Sequence, residues 1–440
     1  MRNKYSLSAT TAIVIANMIG TGIFVSLGFQ LLITNDFATI IILWVVGGLI
    51  SLCGAFVYSE IGSALPKSGG EYHYLSKLYH PSIGFVSGWL SSTIGFAAPI
   101  ALSAITFGTY IHNVVPSLSE NLLAILIILI VTLFNSINHF ISGSFQLIFT
   151  IFKVVLILFF IVFGLLYPPL EYISFSPTES TLTDTFSTGF AINLVYVSFA
   201  FSGWNASAYI ASEVENPRRN LPLSIIFGTS AVIGLYVLLN AVFLMSAPVN
   251  ELMVDPTSMM PKEIGFVAAE NMFNTNVANV ISIIIGVFLI SSISSMVITG
   301  PRVLQTMIND YPVIKKLRFN ENKIPVFAIL LQSAIAILIL LSGSFDSILT
   351  YTTFALTIFS LLTVIGVFIL RKKNKDYNDE NTYRTWGYPI TPVIFILANI
   401  WFLTYLFVEK PKDALIALGL IIIGFLLYIV IRKKIKSNPN

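Results

Sequence analysis

The sequence predicts an all-α polytopic membrane protein with twelve spanning helices. Three observations carry this. The 440 residues are 56% hydrophobic and 10% charged, whereas a soluble domain is about 25% charged. Apolar residues fall in long runs, each near the ~20 needed to cross roughly 30 Å of hydrocarbon. The basic residues between those runs are sorted unevenly between two sets of loops.

The runs lie at 6–33, 39–65, 82–111, 122–141, 144–167, 186–212, 220–247, 276–307, 324–342, 347–371, 387–407 and 413–432. Met1-Arg2-Asn3-Lys4 leads into the first without a small-residue cleavage site, which predicts a retained span rather than a removed signal. Of the 24 Lys and Arg, Lys153 lies inside a span, Lys262, Lys410 and Lys412 lie in one set of loops, and all the others lie in the opposite set. The positive-inside rule then predicts both termini on the cytoplasmic side of the cell membrane.

The first run is interrupted by Ala16-Asn17-Met18-Ile19-Gly20-Thr21-Gly22-Ile23-Phe24. A lone Gly-x-Gly can be a packing pair at a helix crossing. The sixth run carries a second interruption, Phe199-Ala200-Phe201-Ser202-Gly203-Trp204-Asn205, and paired breaks in corresponding halves point to a transport site. Unpaired backbone at membrane depth is tolerated only where it lines a polar cavity or holds a ligand. If the outer half of the first span begins near Gly20, the N–H groups of Thr21, Gly22 and Ile23 form the positive end of a helix dipole, suited to a carboxylate. Carbonyls near Met18 and Ile19, and those of Phe199, Ala200 and Ser202 in the antiparallel sixth span, suit an α-ammonium. Together they fit the zwitterionic head of a free amino acid.

The second run contains Cys53, the only cysteine, so neither an internal disulfide nor a Cys-based metal site is possible. Glu60 lies near the cytoplasmic end of that span, solvated or paired. The loop 66–81 has the Pro, Gly and polar content of a tight structured connection. His73 and His80 fall in it, and His112 and His139 lie at span ends; none has metal-ligand spacing to another. No cofactor is predicted. The external connections 168–186 and 248–275 are acidic and polar, and no soluble domain is expected in them.

Lys153 follows Gly143 by ten residues, about 15 Å along a helix, and so sits near the middle of the fifth span. Gln146, Thr150 and Lys153 share one stripe. The ammonium needs oxygen acceptors, for which the freed carbonyls near Gly20 and the hydroxyls of Ser291, Ser292, Ser294 and Ser295 in the eighth span are the candidates. A charge there is a functional candidate by default; a buried tie between helices is the alternative.

Ile19-Gly20-Thr21-Gly22-Ile23-Phe24, Pro66-Lys67-Ser68-Gly69-Gly70-Glu71-Tyr72, the sixth-span break with Glu213 and Asn216-Pro217-Arg218-Arg219-Asn220-Leu221-Pro222 after it, and Tyr236-Val237-Leu238-Leu239-Asn240 together resemble the amino acid–polyamine–organocation permeases, nearest the L-type amino acid transporters. The likeness covers most of spans one to eight. It departs at Thr299-Gly300-Pro301-Arg302, so no side-chain pocket residue is carried over from the eighth span. The resemblance implies a LeuT-like five-plus-five inverted repeat within one transporter domain over 1–440. Residues 6–167 and 186–371 would be the repeats, with helices 1 and 6 discontinuous and 387–432 peripheral. It also implies that Thr21 and Gly22 hold the substrate carboxylate, that Phe199 is a gate, and that Asn205 and Tyr236 tune substrate or gating. Lys153 would stand where other members bind sodium, with Gly20, Ser294 and Ser295 in its coupling region. Animal L-type members are tethered to a heavy subunit through a cysteine after span three; the loop 112–121 has none here, so no disulfide-linked subunit is expected.

The reading is a sodium-independent secondary transporter of neutral L-amino acids, with proton symport and exchange both open. A carrier of cationic amino acids or polyamines would want a carboxylate near the substrate side chain, and no Asp or Glu lies mid-span. A membrane enzyme would need acid–base groups or metal ligands at a membrane face, and the isolated histidines do not supply them.

Overall fold

The hydroxyl of Ser6 accepts from the N–H of Ala9 and caps α1 (Leu7–Met18), which stops at Ile19 and Gly20; α2 (Thr21–Gln30) resumes on the far side. The computed structural model describes residues 4–34, 36–137, 143–167, 174–257, 259–311, 326–373 and 382–437. Asp36 caps α3 (Phe37–Ala64) by accepting from the N–H of Thr39 at 3.2 Å. The amphipathic α4 (Glu71–Leu78) lies in the connection that follows, burying Glu71, Tyr72, Tyr74, Leu75 and Leu78. The third span bends within itself: α5 (Pro81–Leu90) widens into a π turn at Ser91–Gly95 before α6 (Ala97–His112). Pro99 cannot donate to the carbonyl four residues back, at Gly95, and the wide turn ends there.

Next come α7 (Glu120–Ile137), α8 (Gly143–Leu166) and α9 (Glu179–Thr185). The sixth span is α10 (Thr188–Ala200) and the single turn α11 (Ala206–Tyr209). Asn216 in the left-handed region and Pro217 at the first turn start α12 (Pro217–Ser246). The short α13 (Val249–Leu252) and α14 (Ile264–Met272) fold back over α2, with Val254 donating to the Gly28 carbonyl at 3.1 Å. The chain then forms α15 (Thr275–Asp310), α16 (Val326–Ser342), α17 (Phe345–Lys373), α18 (Ile390–Glu409) and α19 (Pro411–Ser437).

Among the described residues there is no strand beyond one bridge between Tyr5 and Val214, and 10 helices are long and apolar enough to cross a membrane, counting α1–α2 and α5–α6 as one each. The twelve expected runs include two shorter helices, Thr188–Ala200 and Val326–Ser342. The sixth is short because the break removes its second half; residues 324–325 of the ninth lie outside the described residues. His139, Lys315, Lys316, Arg318, Lys323 and Lys375 lie outside them too, as does the side chain of Gln146. The core is built on α1 and α2: 78% of their most apolar stretch is buried, against 22% for α19, whose apolar flanks face outward. Glu60 is paired rather than solvated, accepting from Arg371 at 2.7 and 2.8 Å and from the N–H of Thr385.

Candidate functional site

A helix that stops mid-way leaves unpaired carbonyls on one side and unpaired N–H groups on the other. At the first break the N–H groups of Thr21, Gly22 and Ile23 open α2 with no acceptor among the described residues, and Gly20 brings no side chain to cap them. At the second break the Phe199 carbonyl accepts from the N–H of Ser202 at 2.9 Å, and Gly203 turns the chain with φ of +98°. Each break rests on the other through a glycine. A Cβ on Gly22 would stand 2.6 Å from the Ala200 Cα, and one on Gly203 would stand 2.8 Å from the Asn17 carbonyl carbon.

Tyr236 of α12 joins the two. Its hydroxyl donates to the Met18 carbonyl at 2.6 Å and lies 3.4 Å from the Ala200 carbonyl. The fully buried ring is held by Trp44 and Phe201, at centroid distances of 5.6 and 5.2 Å. Thr21 meets Thr106 of α6, hydroxyl to hydroxyl.

Lys153 is 2% exposed, and its ammonium donates to the Ile19 carbonyl at 3.1 Å and to Ser292 Oγ at 2.7 Å. Thr150, one turn earlier, reaches the Ala12 carbonyl at 3.4 Å, so this stripe of α8 faces α1. Ser294 and Ser295 do not reach the lysine. Ser294 exchanges hydrogen bonds with Asn135 of α7, and the Ser295 carbonyl accepts from Thr299. At 3.6 residues per turn, two or three positions past Ser292 lie on other faces of α15.

On the side where α1 begins and α19 ends, the terminus face, a cavity of about 150 Å³ opens below the breaks. Phe199, Ser202 and Asn205 line it, as do Asn17, Ser360 and Tyr209. Met18, Ile19, Thr21, Gly22, Ile23 and Ala200 do not, because the contact of Gly22 with Ala200 seals that level. On the far side Phe29 stacks between Tyr196 and Phe345 at 5.1 and 5.6 Å, and Asp346 holds Lys410 and the Tyr196 hydroxyl.

The cavity wall also holds a residue that sequence reasoning left in a loop. Glu71 is 3% exposed, and its Oε1 accepts from the Tyr58 hydroxyl at 2.5 Å, Ser360 Oγ at 2.9 Å and Asn205 Nδ2 at 3.4 Å. Burial raises its pKa above the ordinary carboxylate range, against the hydrogen bonds from Tyr58 and Ser360, which lower it. The sequence signal was Gly69-Gly70. Both have positive φ, and a Cβ on Gly70 would stand 2.6 Å from the Tyr209 ring. The π turn at Ser91–Gly95, also in the wall, had a signal only in Pro99.

The two discontinuous helices thus meet at Gly22 and Ala200, with a buried lysine on the first break and a cavity below. The family profile described as amino acid permease matches residues 5–431. The chain belongs to the amino acid permease family. This permease is 24% identical to the b(0,+)-type amino acid transporter 1 of Mus musculus over 97% of its own length and 88% of the relative's. It is 27% identical to the serine/threonine exchanger SteT of Bacillus subtilis (strain 168), over 92% and 91% of the two chains. It is also 27% identical to the cystine/glutamate transporter of Homo sapiens, over 86% and 75%. The permease is thus a multi-pass integral membrane protein that transports amino acids, and not an enzyme.

Proposed function

We propose that this permease exchanges neutral L-amino acids across the cell membrane by alternating access, without sodium. The observation that carries the proposal is Lys153, whose ammonium sits between the Ile19 carbonyl and Ser292 Oγ. A sodium ion at those oxygens would meet a like charge at contact distance. The substrate carboxylate takes the free N–H groups of Thr21, Gly22 and Ile23, and its ammonium takes the remaining lone pairs of the Phe199, Ala200 and Ser202 carbonyls. Met18 and Ile19 anchor the site through Tyr236 and Lys153. Phe199 gates it, Asn205 and Tyr236 tune it, and Gly20 leaves the N–H groups of the break uncapped for the substrate. Ser294 supports α15 through Asn135, and Ser295 belongs to the same serine-rich coupling stretch.

A neutral substrate fits a wall whose only charged member among the described residues is Glu71, held by Tyr58, Ser360 and Asn205 toward the terminus face. Twelve spans in two inverted repeats, 6–167 and 186–371, with 387–432 peripheral, accommodate both breaks at one level. The uneven basic loops support a cytoplasmic side for both termini. Cys53, the only cysteine, is half-buried in α3, so the permease works without a disulfide-linked subunit. Exchange is favoured by the likeness to a chain named as a serine/threonine exchanger. Proton symport is the second reading, favoured by the neutral partners of the Lys153 ammonium.

Proteoliposomes with and without internal serine, offered a panel of radiolabelled amino acids in sodium and in choline, test the proposal. Exchange requires uptake only into loaded vesicles, at equal rates in both media. Uptake into empty vesicles driven by an acid exterior makes the carrier a symporter, and a steep sodium dependence overturns the reading.

A further inference from the structure

Gly69 and Gly70 let the connection after α3 press on Tyr209, and this close approach drives the first residue of α4 inward. Glu71 thereby becomes a buried carboxylate whose two oxygens differ. Oε1 is filled by donors from α3, α17 and the second break. Oε2 has no donor among the described residues, is not among the sealed unpaired atoms, and belongs to a residue that lines the cavity. The titratable groups packed around it are the phenols of Tyr58, Tyr74 and Tyr209. No basic side chain pairs with it among the described residues. A carboxylate so placed, one oxygen filled and the other turned to the cavity without a counter-charge, favours a cation that can reach it.

We infer that Glu71 Oε2 is a second docking point in the transport path, an acceptor for the α-ammonium of the amino acid as it passes between the breaks and the terminus face. The cation must be small, must donate hydrogen bonds and must travel through this cavity, and the ammonium of a free amino acid meets all three conditions. Ser91, Thr357 and Ser360 add hydroxyls to the same wall. Asn205, the last residue of the second break, touches the same carboxylate at 3.4 Å, so occupancy of Oε2 is felt where the broken helix turns. The inference rests on the reading that amino acids pass through this cavity.

The test is sided. Proteoliposomes sorted by a C-terminal affinity tag into terminus-in and terminus-out populations give KM for serine at each face. For Glu71→Gln, KM at the terminus face rises at least about tenfold, the loss of roughly 1.4 kcal/mol of binding, while KM at the opposite face stays within twofold. Glu71→Asp, which keeps the charge, recovers most of the loss. A structural role moves both faces together, and a proton-carrying role changes the pH profile with KM at the terminus face intact; either overturns the inference. Should both variants aggregate, the wild type still decides. Acid on the terminus face protonates Glu71 while Tyr58, Tyr74 and Tyr209 stay neutral, so KM there must rise as pH falls, and an unchanged value overturns the inference. If the wild type carries no amino acid from either face, the transport reading and this inference fall together; if only the Glu71 effect is missing, this inference alone fails.

Discussion

Lys153 and Ser292 are joined across the core, ammonium to hydroxyl, at 2.7 Å, and the same ammonium holds the carbonyl that the first break leaves at Ile19. Lys153→Ala removes the donor to that carbonyl, and leaving a buried acceptor unpaired costs about 1–3 kcal/mol. In the exchange reading, uptake into loaded vesicles falls by at least about tenfold, and the pH profile of what uptake remains matches the parent's. Loss of acid-stimulated net uptake alone, with exchange surviving, would assign the lysine to proton coupling.

The two glycines of the first break are not equivalent. A Cβ on Gly20 meets nothing nearer than the Met18 carbonyl at 4.0 Å, whereas one on Gly22 is driven into Ala200 at 2.6 Å. Gly20→Ala should therefore retain transport within a few-fold. Gly22→Ala should lose it and destabilise by about 1–3 kcal/mol, the cost of overpacking where backbone must move. Uptake and thermal unfolding of the two variants, measured side by side, check this; equal tolerance would mean that the breaks do not press on one another.

Tyr236→Phe isolates one hydroxyl, because Trp44 and Phe201 keep the ring in place. The Met18 and Ala200 carbonyls lose their shared donor, an expected loss of about 1–3 kcal/mol. A melting temperature equal to that of the wild type, at unchanged exchange rate, would remove Tyr236 from the site.

His73 predicts an acid limit to stability. Its pKa is lowered from 6.5 to about 4 by burial and by the charges of Lys67 and Lys77. Between those values the unfolded chain binds more protons than the folded one, so stability is complete above 6.5 and declines as pH falls toward 4. The raised carboxyl of Glu71 acts in the opposite sense, so the informative quantity is the difference between wild type and His73→Gln. That difference in melting temperature should shrink or reverse from pH 7.5 to about pH 5; a constant offset counts against it.

Much of this arrangement is legible in the chain because the signals are local. Gly20 to Gly22 and Ser202 to Asn205 stand out within apolar runs, and Lys153 is conspicuous as a base near the middle of a span. Contacts between distant segments are a different matter. A serine-rich run offers hydroxyls on every face of a helix, and only the packing of α8 on α15 selects Ser292 over Ser294 and Ser295. Glu71 reads as a loop carboxylate until Gly69 and Gly70 fold it under Tyr209. In the sixth span the break is legible where the helix stops at Ala200 and resumes at Ala206, but not that only a single turn follows it.

The bridge between Tyr5 and Val214 ties the segment ahead of α1 to the exit of the second break, through Tyr5 N–H to the Glu213 carbonyl at 2.8 Å and Glu215 N–H to the Tyr5 carbonyl at 2.9 Å. Two levers, one from each broken span, are thereby pinned at their terminus-face ends as a pair of oars is lashed. Neither can swing without carrying the other. A load attached ahead of Tyr5 acts on the stroke itself rather than on an idle tail, so a rigid fusion there should slow the carrier where the same fusion after α19 leaves its pace alone.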